Sequence, residues 1–297
     1  MTSRTLLLLV ATPFLAQSQG SSSGGSVLKI PSHALSAALG DAAVVQPGRL
    51  DAAGANPANL FYEGKGTSVV FTHAGWIQDI SGQRLNVSFP LSIGQFVVGA
   101  GTTKLAGIEV REQPGPAAAT FAAQSAALQV GWAAPVSSGI VAGIAASYLY
   151  EKLYVDESTG FGVDLGLLAQ TPVQDLTVGV ALSNLGRMSA FRTDAVDLPT
   201  TLRAGAEYRM AVGEISFRPA LAVRNEINGS GWGISVASTV LYDNIVGLRA
   251  SWKTGETARS VGIGLTAQYS GIGLDYGIVP FTSGLGTAHV ITIGINL

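Results

Sequence analysis

No cysteine occurs anywhere in the chain. That excludes a disulfide framework, a thiolate metal site and a lipoprotein anchor. Charge is scarce as well: Asp, Glu, Lys and Arg make up 12% of the 297 residues, against about 25% in an ordinary soluble domain. The net charge of −2 offers no basic surface for a polyanion such as nucleic acid. Long apolar runs are also missing. Beyond residue 20 nothing approaches the roughly 20 residues a membrane-crossing helix needs, and the best candidate, 139–146, passes quickly into alternation. The 38 glycines follow no G-X-Y period, so collagen is excluded. What remains is a chain 47% hydrophobic with a mean hydropathy of +0.37. Its apolar surface calls for a membrane or an unusually large core. Without helical spans, only a closed β-barrel satisfies every backbone polar group inside hydrocarbon.

The first twenty residues read as an export signal. Arg4 supplies the positive start, and 6–11 with Phe14 and Leu15 an apolar stretch too short to span a bilayer. Cleavage is expected after Ala16 or after Gly20, leaving a flexible Gly/Ser leader over 21–26.

Period-two alternation recurs in segments of about ten residues. Phe161, Val163, Leu165, Leu167 and Ala169 share one face, while Gly162, Asp164, Gly166 and Gln170 take the other. Leu202, Ala204, Ala206, Tyr208 and Met210 oppose Arg203, Gly205, Glu207 and Arg209. Val261, Ile263, Leu265, Ala267 and Tyr269 oppose Gly262, Gly264, Thr266 and Gln268. A one-sided helix would bring apolar residues back at i+3 and i+4, which these segments do not. The spacing predicts about fourteen strands: 67–76, 83–89, 93–103, 122–133, 139–150, 160–170, 176–185, 200–210, 214–224, 232–242, 245–253, 260–269, 272–279 and 289–297. Pro219 interrupts 214–224, and 93–103 is rich in Gly and nearly apolar on both faces.

The connections sort by parity. Longer loops (77–82, 104–121, 151–159, 186–199, 225–231, 254–259, 280–288) alternate with short turns (90–92, 134–138, 171–175, 211–213, 243–244, 270–271). Outer-membrane barrels place short turns in the periplasm and longer loops outside, so both termini are expected in the periplasm. Trp76, Trp132, Tyr148, Tyr150, Tyr208, Trp232, Tyr242, Trp252 and Tyr276 fall near strand ends, where amphipathic rings favour the headgroup boundary. The expected class is therefore an all-β transmembrane antiparallel barrel of about 14 strands. Its partner is outer-membrane lipid.

Fourteen strands about 4.8 Å apart and tilted about 40° give a barrel with a backbone diameter of roughly 28 Å. Side chains from the wall cannot fill it. Residues 27–66 precede the first strand and do not alternate; 33–45 could form one helix, and 56–60 reads as turns. The segment is expected to plug the lumen or to pack beneath it. The division is a signal peptide over 1–20, an N-terminal periplasmic or hatch segment over 21–66, and a barrel over 67–297.

Chemistry has few candidates. Of the histidines His33, His73 and His289, the last two become neighbours if the barrel closes, and facing inward they could meet Asp275. No serine sits in a G-x-S-x-G elbow between a strand and a helix, and no loop carries calcium-ligand spacing, so neither an enzyme nor a metal or cofactor site is expected. The charges opposite the large apolar residues form the best candidate set. They are Arg84, Asp164, Arg203, Glu207, Arg209, Arg218, Arg224, Arg249, Lys253 and Asp275, with Asn86 and Gln268. Arg or Lys on a lipid face costs about 2–4 kcal/mol at mid-depth, so these are expected in the lumen. There they pair with hatch residues such as Asp41, Arg49 and Asp51, or bind a ligand headgroup.

Several blocks resemble one family. Ser36-Ala37-Ala38-Leu39-Gly40-Asp41-Ala42, then Gly54-Ala55-Asn56-Pro57-Ala58-Asn59-Leu60, is similar to the segment that precedes the barrel in FadL-like proteins. Further blocks at 150–152 with 158–166, 179–186, 198–205, 274–281 and 286–289 are similar to PorV/PorQ proteins. The resemblance implies a fourteen-stranded barrel with an N-terminal hatch in which Asn56, Pro57, Ala58 and Asn59 form the motif. It implies partner binding linked to type IX secretion or surface attachment. The FadL side implies instead a channel for small hydrophobic solutes, and a purely structural barrel is the third reading. The chain departs from the family pattern in ending at Leu297 rather than Phe.

Overall fold

Alternating apolar and small or polar residues do form strands, and the strands close. The computed structural model describes residues 25–61, 66–110, 117, 119–190, 194–227, 229 and 231–297. The expected signal peptide lies outside these. We number the strands β1 Ser68–Gly75, β2 Ile80–Leu91, β3 Gly94–Val110, β4 Ala119–Ser137, β5 Ile140–Leu153, β6 Asp156–Gln170 and β7 Leu176–Met188. They continue with β8 (Thr201–Tyr208 and Met210–Val212), β9 Ile215–Glu226, β10 Gly231–Tyr242, β11 Val246–Lys253, β12 Val261–Tyr269, β13 Ile272–Pro280 and β14 Thr287–Asn296. Every neighbour is antiparallel, and β1 pairs with β14 from Ser68↔Asn296 to Gly75↔His289, so the sheet is a closed 14-strand barrel.

Pro219 explains why β8 comes in two pieces. It lies within β9, paired to Ser238 on one side. On the other side it has no N–H to give to β8. Pairing there lapses between Glu207↔Ala220 and Met210↔Phe217.

The lipid face is a belt of exposed large apolar residues, among them Leu128, Val130, Leu167, Leu221, Ile234, Leu248, Ile263 and Leu265. Trp232 and Tyr242 bound it on β10, about ten residues apart. At about 3.3 Å per residue and a 40° tilt that spans about 25 Å, the height of the apolar band of outer-membrane barrels. Trp76 departs from the expected girdle. It turns inward at the mouth, edge-on to Phe281 at 5.4 Å, with the Arg259 guanidinium 5.3 Å from its ring centroid.

Two expected loops are mostly strand. Residues 104–110, 119–121 and 151–159 continue the ladder: β3 and β4 run 17 and 19 residues, and Leu153 pairs with Asp156 across a two-residue turn. Above the belt, water solvates side chains on both faces, so charged residues need not leave the sheet. Lys152 and Glu157, for example, pair across it at 2.7 Å. Sorting of connections by length is therefore imperfect. The barrel's own ends, Ser68 and Asn296, lie at the end of the short turns, but the described chain begins at the long-loop end, where Gly25 lies against Leu198.

Candidate functional site

Residues 25–61 fill the middle of the barrel. The expected single helix over 33–45 is a six-residue helix α1, Ala34–Leu39, followed by a 3-10 turn, Gly40–Val44. Gly40 ends the helix at φ +57, a region that L side chains rarely occupy. Two further turns, Leu50–Ala52 and Pro57–Leu60, complete the hatch. Leu35, Leu39, Ala42, Ala43, Val44 and Val45 pack on Leu168, Ala181, Ala220, Ala222 and Ala237 of the wall. The small-residue face of the strands thus receives the hatch backbone. A Cβ on Gly262 would stand 2.5 Å from the Ala37 carbonyl oxygen, and one on Gly277 2.6 Å from that of Ala34.

The two asparagines of the N-P-A-N-L segment tie the hatch together. Both are fully buried. Asn56 accepts from the Ala58 N–H at 3.0 Å and donates to the carbonyls of Val44 (2.9 Å) and Leu167 (3.1 Å). Asn59 accepts from the Gln46 N–H at 2.8 Å and donates to Ala43 (2.9 Å) and Ala52 (3.1 Å). A chain without regular structure has many backbone groups to satisfy, and these amides satisfy six of them.

Charged groups join hatch to wall. Asp41 takes Arg203 at 3.0 Å and Arg224 at 3.4 Å. Arg49 bonds Asp51 at 2.5 Å and Asp275 at 2.9 Å, and Asp275 also pairs with Arg249. Gln46 donates to Glu207, and Lys29 meets Glu226 at 2.5 Å. Asp164 accepts the Asn184 N–H at 2.6 Å, where a bulge in β7 leaves Asn184 at φ +60. Arg84 lines two cavities described below, while Arg209 and Arg218 lie at the short-turn mouth.

Histidine placement corrects an expectation. His73 and His289 face outward, His289 bonding the Tyr276 hydroxyl at 2.7 Å. The inward imidazole is His33, 2.6 Å from Thr72 Oγ1. Thr72 lies 2.8 Å from Thr292 Oγ1, which accepts the Ala34 N–H at 3.0 Å. The start of α1 is thereby fastened to the β1–β14 seam. Burial, and then the Arg84 charge, pushes the His33 imidazole down to about 4. Burial raises the Asp51 carboxyl, but the charge and hydrogen bond of Arg49 outweigh it and hold Asp51 well below the usual carboxylate range. Neither His33 nor Gln46 was signalled by alternation, because the hatch has none.

Cavities remain on both sides of the hatch. At the long-loop end one of about 60 Å³ lies between Leu28, Ile30 and Pro31 and the wall residues Ala74, Ala127 and Leu149, with Arg84 at its side. It adjoins one of about 330 Å³ that carries Arg84, Asp164, Arg203 and Arg224. At the short-turn end are two polar cavities of about 340 and 160 Å³.

No family model matches the chain, and no curated protein matches it by sequence. Solved structures do match. The TodX deltaS2S3 mutant, a monoaromatic hydrocarbon channel, has a TM-score of 0.59 at 12% identity over 89% of this chain and 99% of its own. The toluene transporter TodX of Pseudomonas putida has a TM-score of 0.53 at 12% identity, over 87% and 95%. These likenesses show a shared antiparallel β-barrel fold.

Proposed function

We propose that the chain is an outer-membrane channel for small hydrophobic solutes, non-enzymatic, with residues 21–66 as hatch and 67–297 as barrel. Export by a cleaved signal over 1–20 belongs to the same reading. The observation that carries it is the outer pair of cavities. An apolar niche of about 60 Å³ under Leu28, Ile30 and Pro31 opens beside a larger polar one, directly on the hatch. A water-filled porin has no need of either. The TodX structures, whose names describe hydrocarbon and toluene passage, support the same reading through a shared fold.

Cells lacking the gene should take up a small aromatic hydrocarbon more slowly, and complementation should restore the rate. Complementation with residues 27–60 deleted should not. Unchanged uptake in the knockout would end this reading.

The second reading is the partner-binding role, linked to secretion or attachment, that the PorV/PorQ resemblance implies. It is favoured by β3 and β4, whose 17 and 19 residues exceed the roughly 9–11 that cross a bilayer and present a raised hairpin to the outside. Crosslinking from intact outer membranes should then recover a secretion or attachment component through that hairpin.

A further inference from the structure

The 160 Å³ cavity at the short-turn end differs from the other charged sites. It is bounded by Gln46, Arg49, Glu207, Arg209, Arg218 and Arg249, with Thr239 and Asn244 among its polar groups. The register explains the crowding of arginines. Met210 pairs with Phe217 and Glu207 with Ala220, so Arg209 stands opposite Arg218. Arg218 in turn pairs with Thr239, and Thr239 with Arg249. Three arginines therefore occupy one rung that crosses four adjacent strands and faces the lumen. Backbones of adjacent strands are about 5 Å apart.

Their charges are not evenly met. Arg249 shares Asp275 with Arg49, and Arg49 also holds Asp51, so those two cations are matched by two carboxylates. Arg218 reaches only neutral oxygens, Ser216 Oγ at 3.2 Å and Asn244 Oδ1 at 3.4 Å. The Arg209 side chain has no hydrogen-bond or ion-pair partner among the described residues. Glu207, the one carboxylate bordering this cavity, is engaged by Gln46. Two cations against one carboxylate leave an excess of one positive charge. Like charges directly opposite on a sheet are destabilising. A guanidinium presents a planar fork of donors that fits carboxylate and phosphate oxygens.

We propose that this periplasmic mouth is a binding site for a small oxyanion, a phosphate or carboxylate group held by Arg209 and Arg218 beneath the hatch. The site is separate from the outer apolar niche and stands whether or not hydrocarbons pass. The cavity has room for one such group with its bound water, and Asn244 and Gln268 border it.

The test uses the full barrel in neutral detergent and Tris-chloride buffer, with calorimetric titration of sodium phosphate, sodium acetate or sodium chloride at matched ionic strength. Phosphate, acetate or both should bind where chloride does not, and the stronger names the group. Arg209→Gln and Arg218→Gln should each weaken that binding at least tenfold. Without the anion, Arg209→Gln should melt at or above the wild-type temperature, because it relieves repulsion and breaks no bond. If neither oxyanion binds the wild type better than chloride, the proposal is wrong. It is equally overturned if Arg209→Gln lowers the melting temperature in Tris-chloride buffer without phosphate or acetate, which would make the arginine structural.

Discussion

Asn59→Ala should loosen the hatch without opening the barrel wall. The side chain is fully buried and makes three hydrogen bonds, from the Gln46 N–H and to the carbonyls of Ala43 and Ala52. Each is worth about 1 kcal/mol net, and a buried group left without a partner costs about 1–3 kcal/mol. The loss should therefore be about 3–5 kcal/mol, borne by the hatch because all three partners belong to it. At about 1.4 kcal/mol per tenfold, local opening should become at least about a hundred times more frequent. Hydrogen exchange followed by mass spectrometry on the detergent-solubilised barrel reads this directly. Peptides covering 40–60 should exchange about a hundredfold faster, while those in β12 and β14 keep their wild-type rates. If hatch peptides exchange within threefold of wild type, the asparagines do not hold the hatch. If β12 accelerates equally, hatch and wall unfold as one.

Other outcomes follow from the same contacts. His33 is neutral in the folded state at about 4 against an ordinary 6.5, so its stabilisation is full above pH 6.5 and is lost as pH falls towards 4. That amounts to about 3 kcal/mol: wild-type hatch protection factors, corrected for the intrinsic pH dependence of amide exchange, should fall between pH 6.5 and 4, and His33→Gln should flatten that dependence. Asp275→Asn strips Arg49 and the buried Arg249 of their shared carboxylate and should cost about 3–5 kcal/mol in thermal unfolding. Gly262→Val should push α1 from the wall, since its first carbon already meets the Ala37 carbonyl, and cost about 1–3 kcal/mol with faster exchange over 34–44. Leu265→Arg, on the lipid face of β12, should cost about 2–4 kcal/mol. Leu265→Arg would show as reduced heat-modifiable folding on a gel; normal folding would place that face in water.

The barrel was legible because a strand carries its environment in a period of two. Leu265 and Thr266 announce opposite faces by chemistry alone, and fourteen such segments imply closure. The upper parts of β3 to β6 were not legible. Above the lipid belt the two faces meet the same solvent, so Lys152 and Glu157 look like loop residues although they sit in the ladder. The wall charges could be placed inward by parity, but their partners could not be read. Asp41 reaches Arg203 and Arg224 only because the hatch folds back across the lumen, and no local pattern encodes that path. His33 was missed for the same reason, and His73 and His289 were drawn together by seam proximity when parity already set them outward.

The most direct test of a barrel closed by its own hatch is ion current through the purified protein in a planar bilayer. Wild type should carry no steady current, because residues 25–61 span the lumen, and deletion of 27–60 should produce large, stable steps. A wild-type protein that conducts as well as the deletion would contradict the account.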